Sequence, residues 1–392
     1  MSVRFERADL RRTVRVTEEM SVPSRTVFGR DIRIMINGGT LYEIDFLPVE
    51  NEEQDGGKSG DAIAMRFTVE TEAREAVVVV DGGFTGVGDD LVKHVRNYYE
   101  TNYVDLVIST HPDADHLNGL TTVIEEMDVE ELMVHQPRLH AYDLSDFSNL
   151  EALDELLEAA SSNGVRVTEP FTGTTRFDGQ LLVLGPTEDF YEQLLEEQLS
   201  PQAKIMAILR EAFAKRPIQH LQMLEERALE TLPGETLTDE GETSPRNNSS
   251  VITLVSADSR RFMLTGDAGI PALERGADYY ESKIGPFASF PLHFLQGPHH
   301  GSKHNVGPSI LNRILGKPGA TYATSYVSYI SSAKASTKHP SPKVVNALSR
   351  RACLVSATEG VSICHRSIDA PSRPDWVLLE PLPPLAEDEN DD

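Results

Sequence analysis

Thr110-His111-Pro112-Asp113-Ala114-Asp115-His116 places four potential metal ligands within six residues. Imidazole nitrogens and carboxylate oxygens suit Zn²⁺, Mn²⁺ or Fe²⁺. His111 and Asp113 lie two apart and can grip one ion, while Asp115 and His116 can turn toward a second. One cluster cannot complete two coordination shells, so further ligands must come from elsewhere. Asp267 closes the apolar run Phe262-Met263-Leu264-Thr265-Gly266, and a single carboxylate there can bridge two cations. His299 and His300 follow Leu295-Gln296-Gly297-Pro298; either could ligate, leaving the other to hold or protonate a substrate. Two divalent ions, Zn²⁺ or Mn²⁺, would each bind a substrate oxygen and hold a hydroxide between them as nucleophile. Asp115 and Asp267 are candidates to orient it. His299, His300, Lys303 or His339 could serve the leaving group. Asn248, Ser249, Ser302 and Lys303 could hold a non-bridging phosphate oxygen, the lysine as a point charge. Phosphodiester hydrolysis is the reaction class that uses all of these at once.

Such side chains need rigid supports, and the ends of buried strands supply them. The pattern predicts strands over Ile32–Ile36 and Leu41–Phe46, joined as a hairpin, then Ala62–Glu70, Val77–Val80, Val104–Ser109 and Leu132–Val134. The ligand cluster begins just past Val104–Ser109. Helices are predicted over Asp89–Tyr99, Leu117–Glu126 and Asn149–Ser161. After a strand at Gln180–Leu184, helices over Glu188–Leu199, Gln202–Lys215 and Ile218–Leu232 read as an insertion or cap. Gly234–Pro245 reads as an acidic linker. Strands return at Ser250–Ser256, Arg261–Thr265, His293–Gln296, Tyr322–Ser325, Cys353–Ser356 and Val361–His365. This order fits an α/β protein in which helices flank a sandwich of sheets. The expected organisation is an N-terminal extension (1–30), one catalytic domain (31–370, insertion about 188–232, linker 234–245) and a Pro-rich, acidic tail (371–392).

The chain has 392 residues and a formal net charge of −26. Three segments carry 13 of those charges: the tail acids from Glu387 to Asp392, read as disordered, the stretch Glu50–Asp61, and Glu235–Glu242. This balance excludes a broad basic footprint for duplex DNA. It leaves open a small site in which metal ions supply the positive field. A short single strand or a small nucleotide fits better than long duplex DNA. Two cysteines exclude a disulfide scaffold and an all-Cys metal site. No apolar run approaches the ~20 residues of a membrane span and no signal peptide is evident, so a soluble, cytoplasmic protein is expected. Tyr322, Tyr326 and Tyr329 could stack on a base or pack in the core. Trp376 is expected to anchor the C-terminal strand.

Taken together, these motifs resemble the metallo-beta-lactamase superfamily, and most closely the hydrolase domain of the ComEC/Rec2 competence proteins. His111 to His116 resembles that family's HxDxDH. Asn247-Asn248-Ser249-Ser250 resembles its NNxS, Thr265-Gly266-Asp267 its TGD and Pro298 to Lys303 its PHHGSK. Asp61-Ala62-Ile63, Asp81-Gly82-Gly83, His339-Pro340 and Thr358-Glu359-Gly360 resemble further elements, in order, from about Leu41 to His365. Asp113 stands where the superfamily has a second His, as in the competence branch. Asn247-Asn248 stand where a third His is common, which makes Mn²⁺ competitive with Zn²⁺. Glu359 replaces the usual Asp. The resemblance implies a metallo-beta-lactamase αββα sandwich with a helical insertion, and a nuclease or phosphodiesterase with partners from its own pathway. No counterpart of the competence membrane channel is read. A lactone or lactam hydrolase and a non-catalytic interaction protein remain alternatives on the same fold.

Overall fold

The computed structural model describes residues 40–51, 57–72, 74–141, 144, 147–199, 234–319, 326–374 and 376–387. Two mixed sheets of seven strands each form the frame. The first runs, edge to edge, Ile363–Arg366, Tyr42–Phe46, Ala62–Val69, Arg74–Gly82, Leu106–Ile108, Glu131–Met133 and Arg166–Thr168. Its first four strands pair antiparallel, and from Arg74–Gly82 onward the pairing is parallel. The second sheet runs Cys353–Ala357, Tyr326–Ile330, Phe294–Gln296, Arg260–Leu264, Ile252–Ala257, Leu181–Gly185 and Thr175–Arg176. It repeats the same division, parallel through Arg260–Leu264 and antiparallel beyond.

Three apolar clusters show how the layers stack. One joins the inner faces of both sheets, with Ile44, Phe67, Val78 and Ile108 from the first meeting Val183, Phe262, Leu264 and Phe294 from the second. A second lies between the outer face of the first sheet and the helices Val87–His94, Leu120–Glu126 and Leu150–Ser162. The third lies between the second sheet and Ile270–Lys283, Pro308–Leu315 and Pro342–Arg350. The chain is therefore an αββα sandwich. Central strands buried on both faces explain the unbroken run Val77-Val78-Val79-Val80, whose β-branched side chains pack on each side. Among the described residues, no helix is long and apolar enough to cross a membrane.

Several expectations change in detail. The helix expected over Leu117–Glu126 is broken into Ala114–Leu117 and Leu120–Glu126. Gly119 lies at the break, where a Cβ would stand 2.0 Å from the Gly82 carbonyl oxygen. That contact packs the ligand-bearing turn against the end of strand Arg74–Gly82. The helix expected over Asp89–Tyr99 runs as α-helix to His94 and widens to a π-turn over Val95–Tyr99. Helix Glu188–Leu199 opens the expected insertion; the helices at Gln202–Lys215 and Ile218–Leu232 lie outside the described residues, as do strands Ile32–Ile36 and Tyr322–Ser325. The described strand that follows is Tyr326–Ile330, with Tyr326 and Tyr329 buried in the core rather than free to stack on a base.

The acidic segment Glu235–Glu242 is tied to the body of the protein. Leu237 of the supposed linker is buried, Glu235 pairs with Arg351, and Asp239 accepts from the Ser309 amide at the start of helix Pro308–Leu315. The described part of the C-terminal segment, up to Glu387, is anchored as well. The Leu382 amide donates to Val355, Asn346 exchanges hydrogen bonds with Leu385, and Glu387 pairs with Arg350. Trp376 packs its ring against Tyr98 and Arg373.

Candidate metal centre

The parallel strands of both sheets end on one rim, and every ligand candidate leaves from there. Thr110 to His116 follows Leu106–Ile108, Thr265 to Asp267 follows Arg260–Leu264, and His299 and His300 follow Phe294–Gln296. Gly266 allows the sharp entry to Asp267: its φ is +50°, and a Cβ there would lie 2.9 Å from Thr110 Oγ1.

Asp267 is the hub. Its Oδ1 lies 3.3 Å from His116 Nε2 and 3.8 Å from His300 Nε2, and His300 Nε2 is 3.7 Å from Asp115 Oδ2. Its Oδ2 lies 3.7 Å from His111 Nε2 and 3.4 Å from His299 Nε2, and His111 Nε2 is 3.7 Å from Asp113 Oδ2. Two donor sets thus face opposite oxygens of one carboxylate. Donors bound to one ion at 2.0–2.2 Å in tetrahedral array stand roughly 3.3–3.6 Å apart, close to these spacings. The structure brings both His299 and His300 within reach, one on each side.

The site fits a pair of cations by a second observation. His111 Nε2, His116 Nε2, His300 Nε2 and Asp267 Oδ1 are buried and have no hydrogen-bond partner among the described residues. Buried polar atoms are nearly always paired, and four orphans converging on one another want a positive ion. A site able to bind two divalent metals is present.

Buried groups behind the rings hold them in place. Asp81 ends strand Arg74–Gly82 and accepts from the Thr110 amide at 2.7 Å and from Thr110 Oγ1 at 2.6 Å. It also meets His116 Nδ1 at 2.8 Å, which leaves Nε2 free for an ion. His111 Nδ1 contacts Thr110 Oγ1 and Ser250 Oγ, and His299 Nδ1 meets Asn305 Oδ1 at 2.9 Å. Asp61 also belongs to this cluster: one atom each from Asp61, His116, Asp267 and His300 fall within 4.8 Å of one another. Its carboxylate faces the Nδ1 edges of both rings, at 3.7 and 4.0 Å, opposite the Nε2 edges that meet Asp267. Gln296 Nε2 donates to it at 2.9 Å. This places Asp61 behind the histidines.

The carboxylates around the rings set their charge. Burial alone would lower the His116 pKa, but Asp267 and Asp81 outweigh it and hold the ring well above its usual value. The same contest, won by Asp267 and Asp115, raises His300 to about 9. Burial would raise Asp267, yet His299, His116 and His300 hold it well below the carboxylate range. An incoming metal ion would displace the ring protons.

The other expected site residues are placed unevenly. His339 lines the same cleft as His299 and His300, with ring centroids 5.9 and 6.1 Å from theirs. Asn248 bonds the Thr243 carbonyl and the Gly269 amide, and Ser249 Oγ donates to the Arg246 carbonyl, so both serve their own loop. Asn247 is the one that faces the centre, its Nδ2 3.5 Å from Asp267 Oδ2. Ser302 and Lys303 do not line the cleft. Asp61 and Asp81 stood in resembling motifs without an assigned role, and Arg246 and Asn305 had none. Arg246 forms a 2.5 Å ion pair with Asp113. Asp81 carried a usable signal, since it closes an apolar strand just as Asp267 does.

Asp81→Asn is expected to weaken metal affinity about 10–100-fold while the fold persists, because the ring it orients is left less basic and less fixed. A competition titration against a chelating dye reads this, and an unchanged affinity would contradict the orienting role.

No family model matches the chain, and no curated protein is found to be similar to it. Among solved structures, the chain is similar to one from Thermotoga maritima provisionally named a metallo-beta-lactamase. The two are 12% identical, with a TM-score of 0.31 over 58% of this chain and 78% of that one. So loose a superposition carries no residue roles across.

Proposed function

We propose that this protein is a metal-dependent phosphodiester hydrolase of the metallo-beta-lactamase superfamily, nearest to the ComEC/Rec2 hydrolase domain, acting on a nucleic-acid strand or small nucleotide. The observation that carries the metallo-hydrolase reading is Asp267, whose two oxygens face two separate sets of ligands. When bound, a pair of divalent cations, Mn²⁺ or Zn²⁺, supplies positive field at the scissile phosphate and acidifies the attacking water. His111, Asp113 and His299 would hold one ion, Asp115, His116 and His300 the other, with Asp267 between them.

The remaining groups belong to the chain. Asp115 is 29% exposed in its side chain, so it can touch the attacking water as well as a cation. His339 Nδ1 has no hydrogen-bond partner among the described residues; burial and the neighbouring His300 and His299 rings lower its pKa to about 3, so it meets the leaving oxygen as a neutral ring that can hydrogen-bond to it. Asn247 can donate to a non-bridging oxygen. Arg246, released from Asp113 once a cation claims that carboxylate, can do the same as a forked donor. A cytoplasmic setting and protein partners from the same pathway go with this assignment.

The test is turnover by chelator-stripped protein reloaded with Mn²⁺ or Zn²⁺, offered bis(p-nitrophenyl) phosphate, oligonucleotides, a lactone and a cephalosporin side by side. Diester cleavage that chelation removes is expected. Turnover of lactone or lactam without any diester cleavage would replace this function with the other hydrolase class.

A further inference from the structure

The centre opens into a cleft of about 700 Å³. Its floor is Asp115, His299 and His300, and its walls come from two distant segments, Gly57–Ser59 and Ala335–His339. Each wall contributes an exposed lysine, Lys58 and Lys338. The chain has only ten lysines, and five of them, Lys58, Lys303, Lys334, Lys338 and Lys343, lie in the segments that border the centre. Lys58 and Lys338 meet no carboxylate within 4.0 Å among the described residues. In a chain of net charge −26, two lysines that meet no carboxylate among the described residues leave local positive charge at the mouth of this cleft, facing whatever enters it.

What the cleft lacks is equally informative. Among the described residues no Phe, Tyr, Trp or Leu lines it; apart from Asp115 and the histidines, its lining is glycine, serine, threonine, alanine and lysine. Stacking on a large aromatic face is how proteins commonly hold single-stranded bases, and the described lining offers no Phe, Tyr or Trp for it. Lysine, a compact point charge on a flexible stem, contacts phosphates without reading sequence.

We propose that Lys58 and Lys338 hold the phosphates flanking the scissile one, so that the substrate is a single nucleic-acid strand gripped by its backbone with no selection of bases. The assignment rests on the phosphodiester reaction proposed above and specifies its substrate. Long-range attraction by the whole body is unavailable to an acidic protein, so the grip is local and the cleft takes only the few nucleotides around the cut.

The test compares a thymidine tetranucleotide, whose central phosphate is flanked by one on each side, with bis(p-nitrophenyl) phosphate, which offers one. Lys58→Ala, Lys338→Ala and the double variant are expected to raise KM for the tetranucleotide several-fold more than for the single-phosphate diester. The dependence of log(kcat/KM) on log[salt] should become shallower by about 0.7 for each lysine removed, as expected for one phosphate contact on a single strand. Tetranucleotides of A, C, G and T should be cleaved with similar kcat/KM. Equal KM changes on both substrates, an unchanged salt slope, or a strong preference for one base would overturn the proposal. Wild-type protein that cleaves neither ester contradicts the reaction itself. Tetranucleotide cleavage unimpaired in the double variant contradicts only the lysine assignment.

Discussion

Asp267→Asn is expected to give a folded protein that cleaves phosphodiesters at least about 10³-fold more slowly, the loss that follows when several kcal/mol of metal-supplied transition-state stabilisation disappears. Asparagine keeps the size of the side chain but replaces one ligating oxygen with an amide that cannot bind a cation, and it removes the charge that faces both ligand sets. The fold should persist because the main chain at this position is anchored independently. The Asp267 amide donates to Ser250 Oγ, and the Asp267 carbonyl accepts from Asn305 Nδ2 at 2.7 Å. A thermal unfolding curve beside the kinetic assay separates the two effects. Activity within tenfold of wild type would remove Asp267 from the centre of the mechanism.

The second large effect lies far from the chemistry. Arg373→Ala is expected to cost about 3–5 kcal/mol of stability, the usual penalty for removing one partner of a buried ion pair. The Arg373 guanidinium is buried and reaches both oxygens of Asp45, at 2.6 and 2.8 Å, and Glu43 at 2.9 Å. It also lies over the rings of Tyr98 and Trp376, at 4.7 and 4.6 Å. Both carboxylates sit on strand Tyr42–Phe46 of the first sheet and are fully buried. Glu43 keeps Arg66 and Asp45 keeps His94 and Tyr99, but neither set replaces the lost bidentate contact. Urea unfolding at neutral pH measures the loss.

The pH dependence has a definite sign. Burial would raise the Asp45 pKa, but His94 and Arg373 outweigh it and hold the carboxyl far below its ordinary value. A group depressed in the folded state contributes stability above its unfolded pKa, near 4, and loses it as pH falls below that. Removing Arg373 takes away part of this contribution. The deficit of the variant should therefore be full at neutral pH and shrink in acid. A deficit that grows in acid would contradict the pairing.

The ligand residues were legible because each sits just beyond an apolar run, where local pattern reveals both the strand and what its end presents. Asp113, Asp115, His116 and Asp267 needed no knowledge of distant contacts. The residues behind them did. Gln296 and Asp61 are 235 positions apart, and Arg373 and Glu43 are 330 apart. Local periodicity carries no record of such pairs. The acidic stretch from Glu50 to Asp61 looked like solvated loop because acids usually are, yet Asp61 is buried at the centre. The C-terminal segment read as a tail from its prolines and acids, although Arg373 ties it to the first sheet and Glu387 ties it to the helix Pro342–Arg350. The cleft walls escaped notice because serine, threonine and lysine in a loop have no period at all.

The most direct measurement is the metal content of the purified, reloaded protein beside Asp267→Asn, determined by elemental analysis and read together with diester turnover. Two divalent ions per chain in the wild type, lost together with activity in the variant, is the predicted result. Wild-type protein that cleaves diesters with no bound metal, or an Asp267→Asn variant that retains both ions and full turnover, would contradict the account.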